Sequence, residues 1–546
     1  MQTLEEEPSD LIEISTPACQ VVETTAAADI FPYTAVESPT RKSSQKSYGQ
    51  ILKSSVLVGG SSLLNVAIGM VRTKVLALLL GPAGFGLFGV YNSIATLAQN
   101  LAGMGVNSSG VRQIAEAAGS DNKRRIAETS HVLRRVSFVL GVLGALLMVV
   151  LARPVAVITF GNSVHTAAVA GLAGVVLLMS ISGGQSARIQ GLRRIAELAK
   201  VSVASALGGT LLSIPLVYFL RERGIIPALI AVAATTLGAS WWYSHRIPVE
   251  SVTVSSAEVW RESAALLKLG FAFMSSGLMT MGVAYVVRIT VLRKVGMEAT
   301  GLYQSAWTLG GLYVAFILQA MGADFYPRLT ACIRDREVAN RLVNEQVEIG
   351  LLLAGPGVLA TLTCAPLAIA LFYSSRFLPA VEILRWICLG TLLQVVTWPM
   401  GYIIVAKARQ ALFFWCEAAW AIVSLALAWV SVSAFGLKGA GIAFFGSYIF
   451  HGVLIYSVIR RLSGFRWSGE NARRCLIFFA ATAVVFAGPY FLSFKQAVAL
   501  GSVATLMSAT YSVHVLLHLV PREHLPPMLR RFLPAVAPEA ASEEQR

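Results

Sequence analysis

Charge is what this sequence has least of. Only 13% of its 546 residues are Asp, Glu, Lys or Arg, 55% are hydrophobic, and the mean hydropathy is +0.66, a balance that no water-facing surface can carry. A soluble globular domain is thereby excluded, and a polytopic membrane protein is the expected class. Cysteine is scarce as well. The six (Cys19, Cys332, Cys364, Cys388, Cys416 and Cys475) show no CxxC or Cys/His spacing, so they read as buried thiols rather than disulfides or metal ligands. No P-loop, GxSxG elbow or HExxH is present, and no outer connecting segment is long enough to build a catalytic domain. ATP-driven transport by this chain alone and enzymatic chemistry are therefore not expected, and no cofactor is implied. Acids are fewer than bases, 29 against 44, giving a formal charge of +15. The basic residues lie between apolar runs and not in one aromatic-laced patch, which speaks for topogenic charge and against nucleic acid.

A stretch of the chain occurs twice. Residues 72–107 read RTKVLALLLGPAGFGLFGVYNSIATLAQNLAGMGVN, and residues 288–324 read RITVLRKVGMEATGLYQSAWTLGGLYVAFILQAMGAD. Arg72, Val75 and Leu76 fall on Arg288, Val291 and Leu292 at an offset of 216, and Gly86-Leu87-Phe88 falls on Gly301-Leu302-Tyr303 at 215. Each copy is an apolar helix with an arginine near its end, a short glycine-containing turn, and a second apolar helix. Internal repeats in membrane proteins mark transporters whose path runs between the repeats.

A window of roughly 20 mostly apolar residues predicts fourteen spans: 52–79, 84–106, 133–153, 165–186, 201–220, 224–243, 267–291, 300–323, 348–373, 382–405, 411–433, 437–459, 474–493 and 496–519. Most lysines and arginines of the connecting segments fall on one side when the N-terminus is cytoplasmic, so both termini are expected inside. Six spans separate the two copies, which therefore insert in the same orientation. The expected architecture is an all-α integral membrane protein of about fourteen helices. It divides into a disordered cytoplasmic extension (1–48), an N-lobe (49–261), a C-lobe (262–463), two further spans (464–520) and a cytoplasmic tail (521–546). Segments 108–135 and 327–346 read as amphipathic pieces along the membrane surface.

Polar groups inside spans are the candidate functional residues. A charge at bilayer depth costs at least ~2.5–3.5 kcal/mol on insertion scales. Arg72 and Lys74 either snorkel to the outer headgroups or face a cavity between the lobes. Asn65 shares the helix face of Arg72, whereas Lys74 projects away from it. Arg288, followed by Arg293 and Lys294, repeats the arrangement, and a pair of arginine forks suits a phosphate or carboxylate ligand. Asn92, Asn100, Gln304 and Gln319 add donors and acceptors to the same path, either as interhelical hydrogen bonds or as the lining of a sugar cavity. Asp324, with Arg328 after it, and Glu417, with Lys407 ten residues before it, are either paired helix-end carboxylates or titratable groups of a gate. His451 and His514 lack ligand-spaced companions and read as structural.

The stretches LGPAGFGLFGVYNSI and MGADFYPRLTA resemble the Wzx-type O-antigen flippases, or polysaccharide lipid translocases, of the MATE-like exporter superfamily. The resemblance covers most of residues 49–520 and rests on Arg72, Lys74, Gly81-Pro82, Gly84 and Gly86 in the first copy and on Asp324-Phe325-Tyr326-Pro327-Arg328 in the second. It implies an undecaprenyl-diphosphate-linked oligosaccharide as substrate, turned from the cytoplasmic to the outer face of a bacterial inner membrane by alternating access. Implied with it are the lipid bilayer and polysaccharide polymerase machinery as partners, and protons as coupling ion through Asp324 and Glu417. The 48-residue leader departs from the family's short N-terminus. A lipid II flippase or a drug/cation antiporter on the same fold is the alternative, followed by a membrane-embedded polymerase or ligase.

Overall fold

The computed structural model describes the backbone of residues 41–119, 122–248 and 256–519. Within these ranges the side chains of 41–59, of 256–260, of a set of positions between 265 and 324, and of residue 519 fall outside the description. The expected extension up to residue 40, Cys19, Gln319, Asp324 and the tail from residue 521 thus lie outside the described residues. By internal packing the chain divides into residues 1–56 and 57–546, and of the first unit only the helical backbone from Arg41 is described.

All regular structure among the described residues is helical. The elements are α1 (Arg41–Gly103), α2 (Val106–Gly119), α3 (Lys123–Val150), α4 (Ala152–Phe160), α5 (Thr166–Gly191), α6 (Ile195–Leu220), α7 (Ile225–His245), α8 (Ser256–Lys294) and α9 (Met297–Cys332). They continue as α10 (Arg336–Phe372), α11 (Ala380–Ala406), α12 (Gln410–Phe435), α13 (Leu437–Ser463), α14 (Gly469–Phe491) and α15 (Phe494–Leu519). Ten stretches among the described residues are long and apolar enough to cross a membrane. Two of them, Gly60–Gly103 and Ile195–His245, are broken midway and each hold two of the expected spans. Expected spans 267–291 and 300–323 lie on α8 and α9, whose side chains are only partly described, and are not among the ten.

Leucine, valine, phenylalanine and tryptophan stand exposed along these helices, Leu63, Leu147, Val150, Phe219, Trp429 and Phe491 among them. Apolar surface of this extent is stable only against hydrocarbon. The chain is a multi-pass membrane protein.

Segment 108–135 contains a separate amphipathic helix, α2, whose Ser109, Gly110, Ile114 and Ala117 are buried. Segment 327–346 differs from the expectation. Its residues extend α9 and α10 instead of forming a surface helix, because Asp335 caps α10 by accepting hydrogen bonds from the amides of Glu337 and Val338 at 3.0 and 3.1 Å. Cys364 also differs: it is exposed on α10, where a thiol tolerates an apolar surround, while Cys388 and Cys416 are buried.

Two cores organise the second unit. One gathers Val90, Tyr91 and Ile94 of α1 with α3, α5 and α7 around Met148, Leu172 and Ile225. The other gathers α9, α10, α11 and α14 and also takes in Ala77 and Phe85 of α1, with Phe85 edge-on to Tyr373 and Phe377 at 5.5 and 5.8 Å between centroids.

α14 and α15 are joined to α10 and α11 by two buried arginines. Pro489 has no amide hydrogen, which leaves the Val485 carbonyl without its helical donor. Arg385 of α11 donates to that carbonyl at 3.1 Å and to the Phe486 carbonyl at 2.6 Å. Arg474 of α14 pairs with Glu348 of α10 and with Glu470, and its Nε donates to Tyr511 of α15 at 3.3 Å.

Candidate functional site at the seam of the repeats

The turn of each copy is built on a left-handed glycine that starts the next helix. Gly81 has φ 67° and hands over to Pro82, whose fixed φ and missing amide hydrogen suit a first helical position. Gly296, 215 residues later, has φ 115° and precedes α9. The helices that follow meet glycine on glycine. A Cβ on Gly86 would collide with the Met297 carbonyl oxygen, and one on Gly301 with the Pro82 carbonyl oxygen. Met297 and Pro82 are again 215 apart, so the contact is reciprocal, as at an approximate two-fold axis. Further along, Gly105 (φ 66°) and Gly270 approach just as closely, since a Cβ on either would strike the backbone of the other segment.

Between these two contacts α8 runs beside the second part of α1 and α9. Arg288 is buried, 7% exposed, and donates to the Ser93 hydroxyl and, at 2.5 Å, to Oε1 of Gln304. Gln304 in turn donates to Thr308 at 3.1 Å. Gly89 makes room for this amide, because a Cβ there would sit 3.0 Å from Gln304 Oε1. Among the described residues the Arg288 Nε is buried without a partner and no carboxylate reaches the guanidinium. A buried cation held by neutral groups alone is half-compensated.

Two more contacts tie α8 to the first half. Thr159 gives its single hydroxyl proton to the Val155 carbonyl at 2.7 Å, so the Tyr285 hydroxyl, 2.6 Å away, is the donor to Thr159. Arg293 donates to the carbonyls of Val157, Ile158 and, at 3.1 Å, Thr159 in the last turn of α4, where Val157 also accepts the Gly161 amide. Lys294 instead turns to its own half, 3.5 Å from the centroid of the Trp429 ring and bonded to Ser433.

The other expected path residues are scattered. Arg72 and Lys74 are half-buried, and Arg72 makes no hydrogen bond or ion pair with the described residues. Asn65 donates to Ser202 of α6 at 2.8 Å, within its own half. Asn92 is exposed, and Asn100 donates to Met281 Sδ of α8 at 2.9 Å across the seam. Arg328 is exposed. Glu417 faces His451, 3.7 Å away, and not Lys407. α12 and α13 thus bring together two groups 34 residues apart, a pairing that no sequence spacing signals. Ser93 and Tyr285 likewise lie outside the expected path. Of these only Ser93 had a legible cue, its place one turn after Gly89 in the repeated helix.

The family described as "Polysaccharide biosynthesis protein" matches residues 75–382, which includes both copies of the turn and the whole of the Arg288 contact. The chain belongs to the polysaccharide biosynthesis protein family. Within this family context two curated relatives, the lipid III flippases of Escherichia coli (strain K12) and Shigella flexneri, are each 24% identical over 415 residues, covering 73% of this chain and 95% of theirs. Among solved structures, the lipid II flippase MurJ in an inward closed conformation superposes with a TM-score of 0.58 at 14% identity, covering 84% of this chain and 99% of that one. An inward-facing multidrug resistance MATE transporter of the MOP superfamily gives 0.56 at 16% identity, over 73% and 95%. The chain therefore has the MOP-type transporter fold.

Proposed function

We propose that the chain is a flippase that turns an undecaprenyl-diphosphate-linked oligosaccharide, an O-antigen or exopolysaccharide repeat unit, across the bacterial inner membrane. The observation that carries the reading is Arg288, a buried cation at the seam of the two repeats whose partners among the described residues are neutral. Such a guanidinium is poised for an anion that arrives and leaves, and a diphosphate supplies one with matching geometry. The sugar diphosphate would face a large desolvation cost in hydrocarbon, whereas the prenyl chain can stay in lipid. The lipid III and lipid II flippases among the relatives handle lipid-linked precursors by name, which supports the same substrate class here.

In this reading fourteen spans form an N-lobe (49–261), a C-lobe (262–463) and a final pair, with both termini cytoplasmic. The lobes rock about the seam, breaking the Gly86–Gly301 contact to open outward and the Gly105–Gly270 contact to open inward. Arg72, unpartnered among the described residues, is the second cation of the path. Lys74, Asn92, Asn100, Gln304 and Gln319 complete the lining, and Asn65 braces Arg72's helix. Asp324, Arg328, Lys407 and Glu417 belong to gating or proton coupling, with Glu417 acting through His451. Polysaccharide polymerase machinery receives the product.

The test is to delete the gene and sort undecaprenyl-diphosphate-linked glycans by membrane face. Accumulation on the cytoplasmic face with loss of surface polysaccharide is the expected result. A glycan that reaches the outer face unpolymerised would point to a polymerase or ligase instead, and unchanged glycans to a drug or cation exporter.

A further inference from the structure

A second feature is lined, among the described residues, by the second half alone. α8, α9, α11, α12 and α13 enclose a cavity of about 590 Å³, which shares Thr280, Gln394, Trp420 and Tyr448 with a neighbouring space of about 400 Å³ that ends at Glu417 and His451. The volume is that of a small-molecule site. Rings follow one another along its wall: Tyr303, Trp307, Phe444, Tyr448 and Trp420 have successive centroids 5.9, 5.2, 5.0 and 6.0 Å apart. Neither space is lined by a lysine or arginine. A phosphate has no place there.

The polar groups on this wall divide into two sets. Thr308, Thr391 and Ser447 spend their hydroxyl protons on carbonyls of their own helices. The Trp420 Nε1, the Ser424 hydroxyl and the His451 Nδ1 are buried and have no partner among the described residues, with Trp420 9% and Ser424 6% exposed. Buried polar atoms are normally bonded, and each orphan marks a place for a ligand or water. Unpaired groups beside flat aromatic faces suit a pyranose, which offers hydroxyls at its edge and apolar C–H groups on its face. The upper end of the cavity adjoins the arginine, because Val287 and Tyr303 on the wall are the chain neighbours of Arg288 and Gln304.

We propose that this cavity is the glycan subsite: it holds uncharged sugar rings of the substrate in the second half while the diphosphate sits at Arg288. The identity of the sugar donor rests on the flippase reading, whereas the presence of a sugar site does not.

The experiment uses the full chain in detergent and two probes measured by titration calorimetry. One is the free oligosaccharide released by mild acid from the lipid-linked pool of the source cells, and the other is undecaprenyl diphosphate without sugar. The free oligosaccharide is expected to bind the unsubstituted protein, and Ser424→Ala and Trp420→Phe to weaken it by about five- to tenfold, the loss of one buried hydrogen bond. Arg288→Ala weakens undecaprenyl diphosphate by a much larger factor than it weakens the free oligosaccharide. Ser424→Ala removes an orphaned hydroxyl, so its thermal unfolding temperature stays the same or rises, which keeps a binding loss distinct from a folding loss.

The assignment is overturned if the oligosaccharide does not bind, if Ser424→Ala and Trp420→Phe bind it as the parent does, or if Arg288→Ala weakens it equally. Saturable binding of tetraphenylphosphonium that excludes the oligosaccharide would make the cavity a lipophilic-cation site and also overturn it. Should the oligosaccharide behave as expected while undecaprenyl diphosphate fails to bind, the flippase reading falls and the sugar site stands.

Discussion

The guanidinium of Arg288 donates to the hydroxyl of Ser93, a residue of the other repeat copy. The repeat makes Arg72 the counterpart of Arg288 and Thr308 the counterpart of Ser93, yet Thr308 bonds to Gln304 and Arg72 bonds to no described residue. Gln304 is the reason for the difference. It reaches across to Arg288 through space left by Gly89, which is its own counterpart at an offset of 215. One arginine is thus locked, and the other bonds to none of the described residues.

The inequality predicts different phenotypes. Arg288→Ala should lower transport by at least tenfold and also lower thermal stability, since Gln304 and Ser93 lose their donor at a cost of about 1–3 kcal/mol. Arg72→Ala should impair transport without a comparable change in unfolding temperature. Vesicle transport and thermal unfolding of the two variants, at equal abundance, decide the matter. Equal stability losses would contradict the asymmetry.

The glycine contact gives a second test. Gly86→Ala and Gly301→Ala push a Cβ against backbone that cannot rotate away, and overpacking of this kind costs about 1–3 kcal/mol. Both should lose most transport. Gly69→Ala, with nothing within 4 Å of the added carbon, should transport within about twofold of the parent. A functional Gly301→Ala protein would mean that the seam does not close this tightly.

Docking of the last two helices depends on the two buried arginines. Arg474→Ala leaves the half-buried Glu348 carboxylate without its cation, a change worth about 1–3 kcal/mol of destabilisation, and replacing both by apolar residues should recover much of it. Arg385 and Pro489 should be coupled. In a Pro489→Ala background the Val485 carbonyl regains a helical donor, so Arg385→Met should cost less there, by about 0.5–3 kcal/mol, than in the parent. Additive losses would show that the proline plays no part in holding the arginine.

Much of the fold was legible because hydrophobic run length and charge spacing are local properties. The repeat was visible too, down to Gly86 and Gly301, although nothing in the sequence said that the two glycines touch each other. Residues matched across the seam were not legible. Arg288 could be singled out as a charge in an apolar run, but its partners come from two other helices and depend on the absent side chain of Gly89. The same holds for Glu417, where the nearby Lys407 drew attention and the distant His451 is the neighbour. The aromatic wall of the second-half cavity was hidden because tryptophan and tyrosine in spans look like packing until a void is seen beside them.

Proton coupling gives the fourth prediction. With Glu417 and His451 facing each other at the end of the cavity, Glu417→Gln should abolish any response of transport to an imposed pH gradient while leaving binding of undecaprenyl diphosphate within about twofold. A response that persists in Glu417→Gln vesicles would remove this residue from the coupling path.

In the proposed function the chain moves a lipid-linked glycan from one leaflet to the other. The most direct test is purified protein in liposomes loaded with undecaprenyl-diphosphate-linked oligosaccharide from the source cells, with a membrane-impermeant glycosidase or lectin reporting the exposed leaflet. The parent protein is expected to make the inner-leaflet glycan accessible, and Arg288→Ala, reconstituted equally, is not. Accessibility no greater than in protein-free liposomes, or equal for parent and Arg288→Ala, would contradict it.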